Sequence, residues 1–194
     1  MATFPLLFEL GPQRPTTRQV ADVVRTGGVD ALPNAEQRAD DARYQEVTCR
    51  SALNPVKGMP FKWTLNPYRG CTHGCHYCFA RRYHSQFEMN SSDEFASVIL
   101  VKHNIARVLA RELSRPSWER EEVAFGTATD PYQPIEGTYK LTRQCLEALA
   151  RSRTPVGLIT KGPMVVRDLD VLKNVAQASS CTVYMSVPTV DEDA

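Results

Sequence analysis

The chain predicts an α/β fold, a parallel sheet with helices laid against it, and two observations carry that expectation. Short apolar runs of strand type alternate with stretches whose apolar residues recur at helical spacing, and four such steps are visible along 194 residues. Strand ends open into loops that carry cysteines, small residues or a lysine, the arrangement by which barrel active sites are built. A chain this long buries one core. The hydrophobic fraction of 42% and charged fraction of 23% belong to an ordinary globular protein.

Residues 1–43 form a leader expected to be mobile. Pro12, Pro15, Gly27, Gly28 and Pro33 punctuate it, residues 36–43 are highly charged, and only a short helix over 17–25 suggests itself, with Val20, Val23 and Val24 on one side. The opening apolar run lacks a basic start and is interrupted by Glu9 and Pro12, so it makes a poor signal peptide. The ordered part, residues 44–194, starts with an extended piece over 44–55 that ends in an Asn54–Pro55 turn, with Cys49 as a small buried residue. Residues 61–66 alternate apolar and polar side chains, which predicts the first strand.

After the loop that follows, Ser92 or Asp93 is a candidate helix cap, and residues 98–101 form a compact apolar run. Ile105, Val108, Leu109 and Leu113 then predict a helix that stops before Pro116. Residues 123–129 predict a second strand, and Leu141, Cys145, Leu146 and Leu149 the helix after it. Residues 156–160 predict a third strand, ahead of a helix carrying Val165, Leu169, Leu172, Val175 and Ala176. Residues 181–188 predict a fourth.

The first strand delivers the chain into residues 66–81, NPYRGCTHGCHYCFAR, where three of the six cysteines fall at C-x3-C-x2-C. Thiolates are soft ligands for iron–sulfur clusters, zinc or copper(I). A closed structural zinc site needs four protein ligands, whereas an iron–sulfur cube held by three cysteines keeps one iron open. Gly70 and Gly74 allow the tight turns that wrapping a cube requires.

With Tyr77 just before the last cysteine, this motif resembles the cluster signature of the radical S-adenosylmethionine (radical SAM) superfamily, and the wider stretch resembles the spore photoproduct lyase-related, DNA repair photolyase-like branch. The resemblance implies a [4Fe–4S] cluster on Cys71, Cys75 and Cys78, with SAM chelating the fourth iron. It implies a one-electron reductant of flavodoxin or ferredoxin type, reductive cleavage of SAM to a 5′-deoxyadenosyl radical, and hydrogen abstraction from a substrate. Tyr77 stands where the family sets an aromatic whose main chain contacts adenine. Gly126, Thr127, Ala128 and Thr129 stand where it binds the SAM amino group, with Gly-Thr in place of the commoner Gly-Gly-Glu. Lys161 and, more weakly, Ser186 end the next two strands at the same rim and are further cofactor-binding candidates.

Asp130, Tyr132, Gln133 and Glu136 match the branch's TDPYQP-x-E run; they shape the substrate side or cap the next helix. Arg69, Arg81, Arg82 and His84 flank the cysteines as ordinary surface charge or as an attraction for an anionic partner such as nucleic acid, and His73 and His76 are hydrogen-bonding residues of the loop. The superfamily core resembles a barrel of about six β/α units. Four are visible here, so the expectation is a partial, TIM-barrel-like barrel, apparently truncated and completed by another chain or left as a binding fragment.

A net charge of +1 excludes a global field toward nucleic acid or membrane, and no stretch approaches the ~18 apolar residues of a membrane span. Closely spaced cysteines without a secretory signal predict a reducing, cytoplasmic setting. Two other readings stand beside the radical enzyme. One is a non-catalytic iron–sulfur or zinc module, zinc using the cysteines with His73 or His76. The other, ranked below it, is a thiol oxidoreductase working through Cys75 and Cys78.

Overall fold

The computed structural model describes residues 41–75, 77–83 and 94–187. The helix expected over 17–25, the cap at Ser92 or Asp93, and His76, His84 and Pro188 lie outside the described residues. The strands are β1 (Arg43–Val47), β2 (Leu53–Pro55), β3 (Trp63–Leu65), β4 (Tyr68–Arg69), β5 (Val98–Lys102), β6 (Val123–Phe125), β7 (Val156–Thr160) and β8 (Cys181–Met185). The helices are α1 (Glu94–Ser97), α2 (Ile105–Leu113), α3 (Glu136–Tyr139), α4 (Leu141–Ser152) and α5 (Leu169–Ala178), with 3-10 turns at Phe79–Tyr83 and Pro163–Asp168.

The main sheet has five strands in the order β2-β3-β6-β7-β8. β3, β6, β7 and β8 run parallel, with Leu65 opposite Phe125, Phe125 opposite Leu158 and Leu158 opposite Val183. β2 joins β3 antiparallel. The sheet is open among the described residues, and its order follows the chain, as successive right-handed β/α crossovers require. Leu65, Phe125 and Leu158 are fully buried because helices cover them. α2 packs on α4 and α4 on α5, and their apolar stripes, Ile105/Leu109, Cys145/Leu149 and Leu172/Val175, join one core with the sheet.

A second, three-stranded sheet has the order β1-β5-β4, with β1 parallel and β4 antiparallel to β5. The chain leaves the main sheet at Leu65 and enters this one at Tyr68, so the cysteines follow a two-residue change of sheet. Lys102 N–H donates to the Pro67 carbonyl at the crossing.

Several sequence expectations are corrected here. Asn54 and Pro55 lie within edge strand β2 rather than a turn, and Pro is tolerated at an edge because no ladder donor is needed there. The compact apolar run 98–101, given no element from sequence, is a strand of the second sheet. The strand begun at Val123 ends at Phe125, because Gly126 adopts φ +86°. On α5 Leu169 and Ala176 face solvent while Val171 is buried. The preceding 3-10 turn advances three residues per turn, which shifts the phase of the stripe. Cys49 is half-buried, and its N–H and C=O both bond the Asn104 side chain, at 2.8 and 2.9 Å.

Candidate active site

The cysteine loop is a series of tight turns braced from outside. Gly70 has φ +84°, and a Cβ there would meet the Val98 carbonyl at 2.6 Å, so only glycine fits between β4 and β5. Gly74 N–H donates to the Cys71 carbonyl (3.0 Å) and Cys78 N–H to that of Cys75 (3.2 Å). Arg81, expected as surface charge, folds back instead: Nε donates to the Cys75 carbonyl (2.9 Å) and an Nη to that of Gly74 (2.5 Å). Its guanidinium also lies 5.1 Å from the Phe95 ring centre.

The loop is tied to the residues after β6 by Gln133, which is fully buried. Its Oε1 accepts from Thr72 N–H (3.2 Å), and its Nε2 donates to the Gly70 carbonyl (3.3 Å) and the Thr129 hydroxyl (3.0 Å). Thr129 Oγ1 donates in turn to the same Gly70 carbonyl (2.6 Å). Asn66, at the change of sheet, takes Ala128 N–H on Oδ1 (2.8 Å) and donates to Thr127 Oγ1 (3.3 Å). The sequence assigns Asn66 no role, and Gln133, expected to shape the substrate side or cap a helix, instead bonds the cysteine loop. Asn66 and Gln133 lie 62 and 61 residues from their partners, and only the fold brings them together.

A cavity of about 390 Å³ opens at the C-terminal ends of β3, β6, β7 and β8. Its walls contain Cys71, Cys75, Cys78 and Tyr77 from the first loop, Gly126, Thr127, Ala128 and Thr129 from the second, Lys161 from the third and Ser186 beyond β8. All ten residues singled out from sequence for metal or cofactor binding thus border one space. Gly126 brings the backbone close, since a Cβ would sit 2.5 Å from the Ile159 carbonyl. Lys161 Nζ donates to Tyr77 Oη (3.0 Å) and Ser186 Oγ (2.8 Å), closing the rim between the first and last strand ends. Tyr77 is otherwise 69% exposed.

Beneath the rim Asp130 is buried. Its carboxylate accepts from Tyr132 N–H (2.8 Å), Thr160 Oγ1 (2.6 Å) and Lys161 N–H (2.7 Å), and His73 Nε2 lies 3.4 Å away. Burial alone would push its pKa up, but His73 and these donors hold it below the usual carboxylate range. The Cys71 thiol moves the other way, up to about 12, by burial first and then by the Asp130 charge. Cys71 therefore holds its proton unless a metal takes its place, as a coordinated thiol is deprotonated.

All three cysteines are free thiols on one wall, which fits the donor set of a cluster. Among the described residues no three His, Cys, Asp or Glu side chains close on a single point that would cage one ion. Tyr132, Gln133 and Glu136 do not reach the cavity. Glu136 caps α4, accepting from Thr142 N–H (3.0 Å) and pairing with Arg167 (3.0 Å), so of that polar run only Asp130 borders the site.

Residues 65–194 match the radical SAM superfamily. An uncharacterized protein of Mycobacterium tuberculosis is 45% identical over 157 residues, covering 79% of this chain and 46% of that protein. An uncharacterized protein of Methanocaldococcus jannaschii is 28% identical over 128 residues, covering 66% and 46% respectively. One of Acidianus two-tailed virus is 24% identical over 135 residues, covering 67% and 43%. The chain spans about half the length of the curated relatives it matches. No solved structure matches it, and no helix among the described residues is long and apolar enough to cross a membrane. With its three cysteines, strand-end cavity and parallel sheet, the chain belongs to the radical SAM superfamily.

Proposed function

We propose that the chain is a radical SAM enzyme of the spore photoproduct lyase-like branch. It holds a [4Fe–4S] cluster on Cys71, Cys75 and Cys78 and SAM in the adjoining cavity. The observation that carries this reading is the meeting of three thiols with the seven other candidate residues around one space of about 390 Å³ at the strand ends. When bound, the two cofactors supply one-electron cleavage of SAM to a radical that abstracts hydrogen, with the electron coming from a flavodoxin- or ferredoxin-type donor.

The chain's own residues bind and orient. Asn66 fixes the Thr127–Ala128 backbone, and Gln133 with Thr129 fixes the cysteine loop against it. Tyr77, Lys161 and Ser186 form a polar gate through which the SAM carboxylate is held, with Nζ as the donor. Phe95 and Ala128 pack beside Cys71 and Cys78 and keep water from the thiols.

The test is electron paramagnetic resonance of anaerobically reconstituted, dithionite-reduced protein, with and without SAM. A reduced [4Fe–4S] signal that changes on adding SAM is expected, and Cys71→Ala should carry only background iron. No cluster signal, with zinc recovered instead, overturns the reading. A second reading is a binding module without turnover; a cluster signal indifferent to SAM would select it.

A further inference from the structure

A second cavity, about 620 Å³, shares walls with the first: Phe61, Phe79, Thr127 and Ala128 border both. Lys102, the last residue of β5, also borders it. Its Nζ donates to the Asn66 carbonyl (2.8 Å), and among the described residues it makes no ion pair. Other lysines are held differently. Lys161 Nζ bonds the Tyr77 and Ser186 hydroxyls at the rim of the first cavity, and Lys62 pairs with Glu121 at the surface. An ammonium buried without a counter-ion is costly, and burial, the largest cause, pulls the Lys102 pKa down to about 8. At pH 7 about a tenth of such an amine is neutral, against less than about a thousandth at the ordinary value. A neutral amine still donates to the Asn66 carbonyl while its lone pair remains available to a carbon electrophile.

We propose that this second chamber takes a small carbonyl compound, an aldehyde or ketone, and that Lys102 holds it as an imine. The amine nitrogen adds to the carbonyl carbon, and the carbonyl oxygen then leaves as water with the two N–H protons. Nothing is oxidised or reduced, so the step needs no co-reactant. Phe61 and Phe79 offer aromatic wall for an aryl or other apolar remainder, and the chamber's size suits a small molecule. The shared wall of Thr127 and Ala128 sets the adduct next to the first cavity. That the carbonyl compound is the substrate rests on the function proposed above; the imine rests on Lys102 and its chamber.

The experiment treats the cluster-reconstituted chain anaerobically at pH 7 with benzaldehyde and cyanoborohydride, whose hydride fixes an imine as a secondary amine. Peptide mass spectrometry then follows each lysine. Lys102 should label about tenfold or more faster than the exposed Lys62 and Lys173, and its rate should level off as benzaldehyde rises. Unfolding in urea should abolish that advantage. Phe61→Ala should slow labelling at Lys102 about threefold or more and leave Lys62 and Lys173 unchanged. Should that variant not fold by circular dichroism, the wild-type preference, its saturation and its loss in urea still decide. Lys102 that labels no faster than the exposed lysines, that shows no saturation, or that labels equally in a folded Phe61→Ala overturns the proposal. Paramagnetic resonance of the same preparations separates the two ideas. A SAM response without a preference for Lys102 sinks the imine alone. A saturable preference for Lys102 with no SAM response sinks only the proposed function.

Discussion

The Gln133 amide uses both ends on the cysteine loop, accepting from Thr72 N–H while donating to the Gly70 carbonyl and the Thr129 hydroxyl. Gln133→Ala leaves those buried groups without a partner, so stability in urea should fall by about 1–3 kcal/mol, and the loosened loop should retain less iron on reconstitution. Gly126→Ala acts differently. Its Cβ would strike the Ile159 carbonyl at 2.5 Å from a backbone at φ +86°, and a drop of about 1–3 kcal/mol is expected in the same assay. Gly70 and Gly74 were legible in the sequence because they sit among the cysteines they serve. Gln133 was not, since nothing local tells that residue 133 folds onto residues 70–72.

At the scale of elements, one buried carboxylate organises α3 and α4. Glu136 accepts from Tyr68 Oη (2.5 Å), Thr142 N–H and Arg167, while burial pushes its own pKa up. Glu136→Gln breaks a buried ion pair and should cost about 3 kcal/mol in urea unfolding, the low end of the range because Asp168 still pairs with Arg167. The first turn of α5 supplies a pH-dependent contact. Arg143 bonds Asp170 and holds its carboxyl down at about 2, below the ordinary value of 3.8. Between these pH values the unfolded chain binds the extra proton, so this contribution is present above about pH 4 and fades as pH falls toward 2. The pair is exposed, so the contribution is below about 1 kcal/mol. Asp170→Asn should narrow the difference between urea midpoints measured at pH 5 and pH 3. The stripes of α2 and α4 were readable from apolar spacing; that of α5 was misphased, because six residues expected in its first turns form the 3-10 segment Pro163–Asp168.

At the scale of the whole molecule, β8 is the edge of the main sheet among the described residues, with Val183, Tyr184 and Met185 exposed, whereas β7 beside it is largely buried. An edge of this kind recruits further strands. The double variant Val183→Lys, Met185→Lys should therefore reduce concentration-dependent association in sedimentation velocity, and unchanged association would place the sticky surface elsewhere. Of the four parallel strands, β6 and β7 were legible as compact apolar runs before a helical stripe, and β3 from its apolar–polar alternation. The three-stranded sheet was hidden, because β4 has only two residues and β1 pairs with a strand 55 positions away, from Arg43 to Val98.

The position of Asn66 between the two cavities has a thermodynamic consequence. Its side chain fixes Thr127 and Ala128 on one side, while its carbonyl anchors Lys102 on the other. Any shift that an occupant of one space imposes on this residue is transmitted to the other. Linkage then demands reciprocity: the factor by which the first ligand alters the affinity of the second equals the factor by which the second alters that of the first.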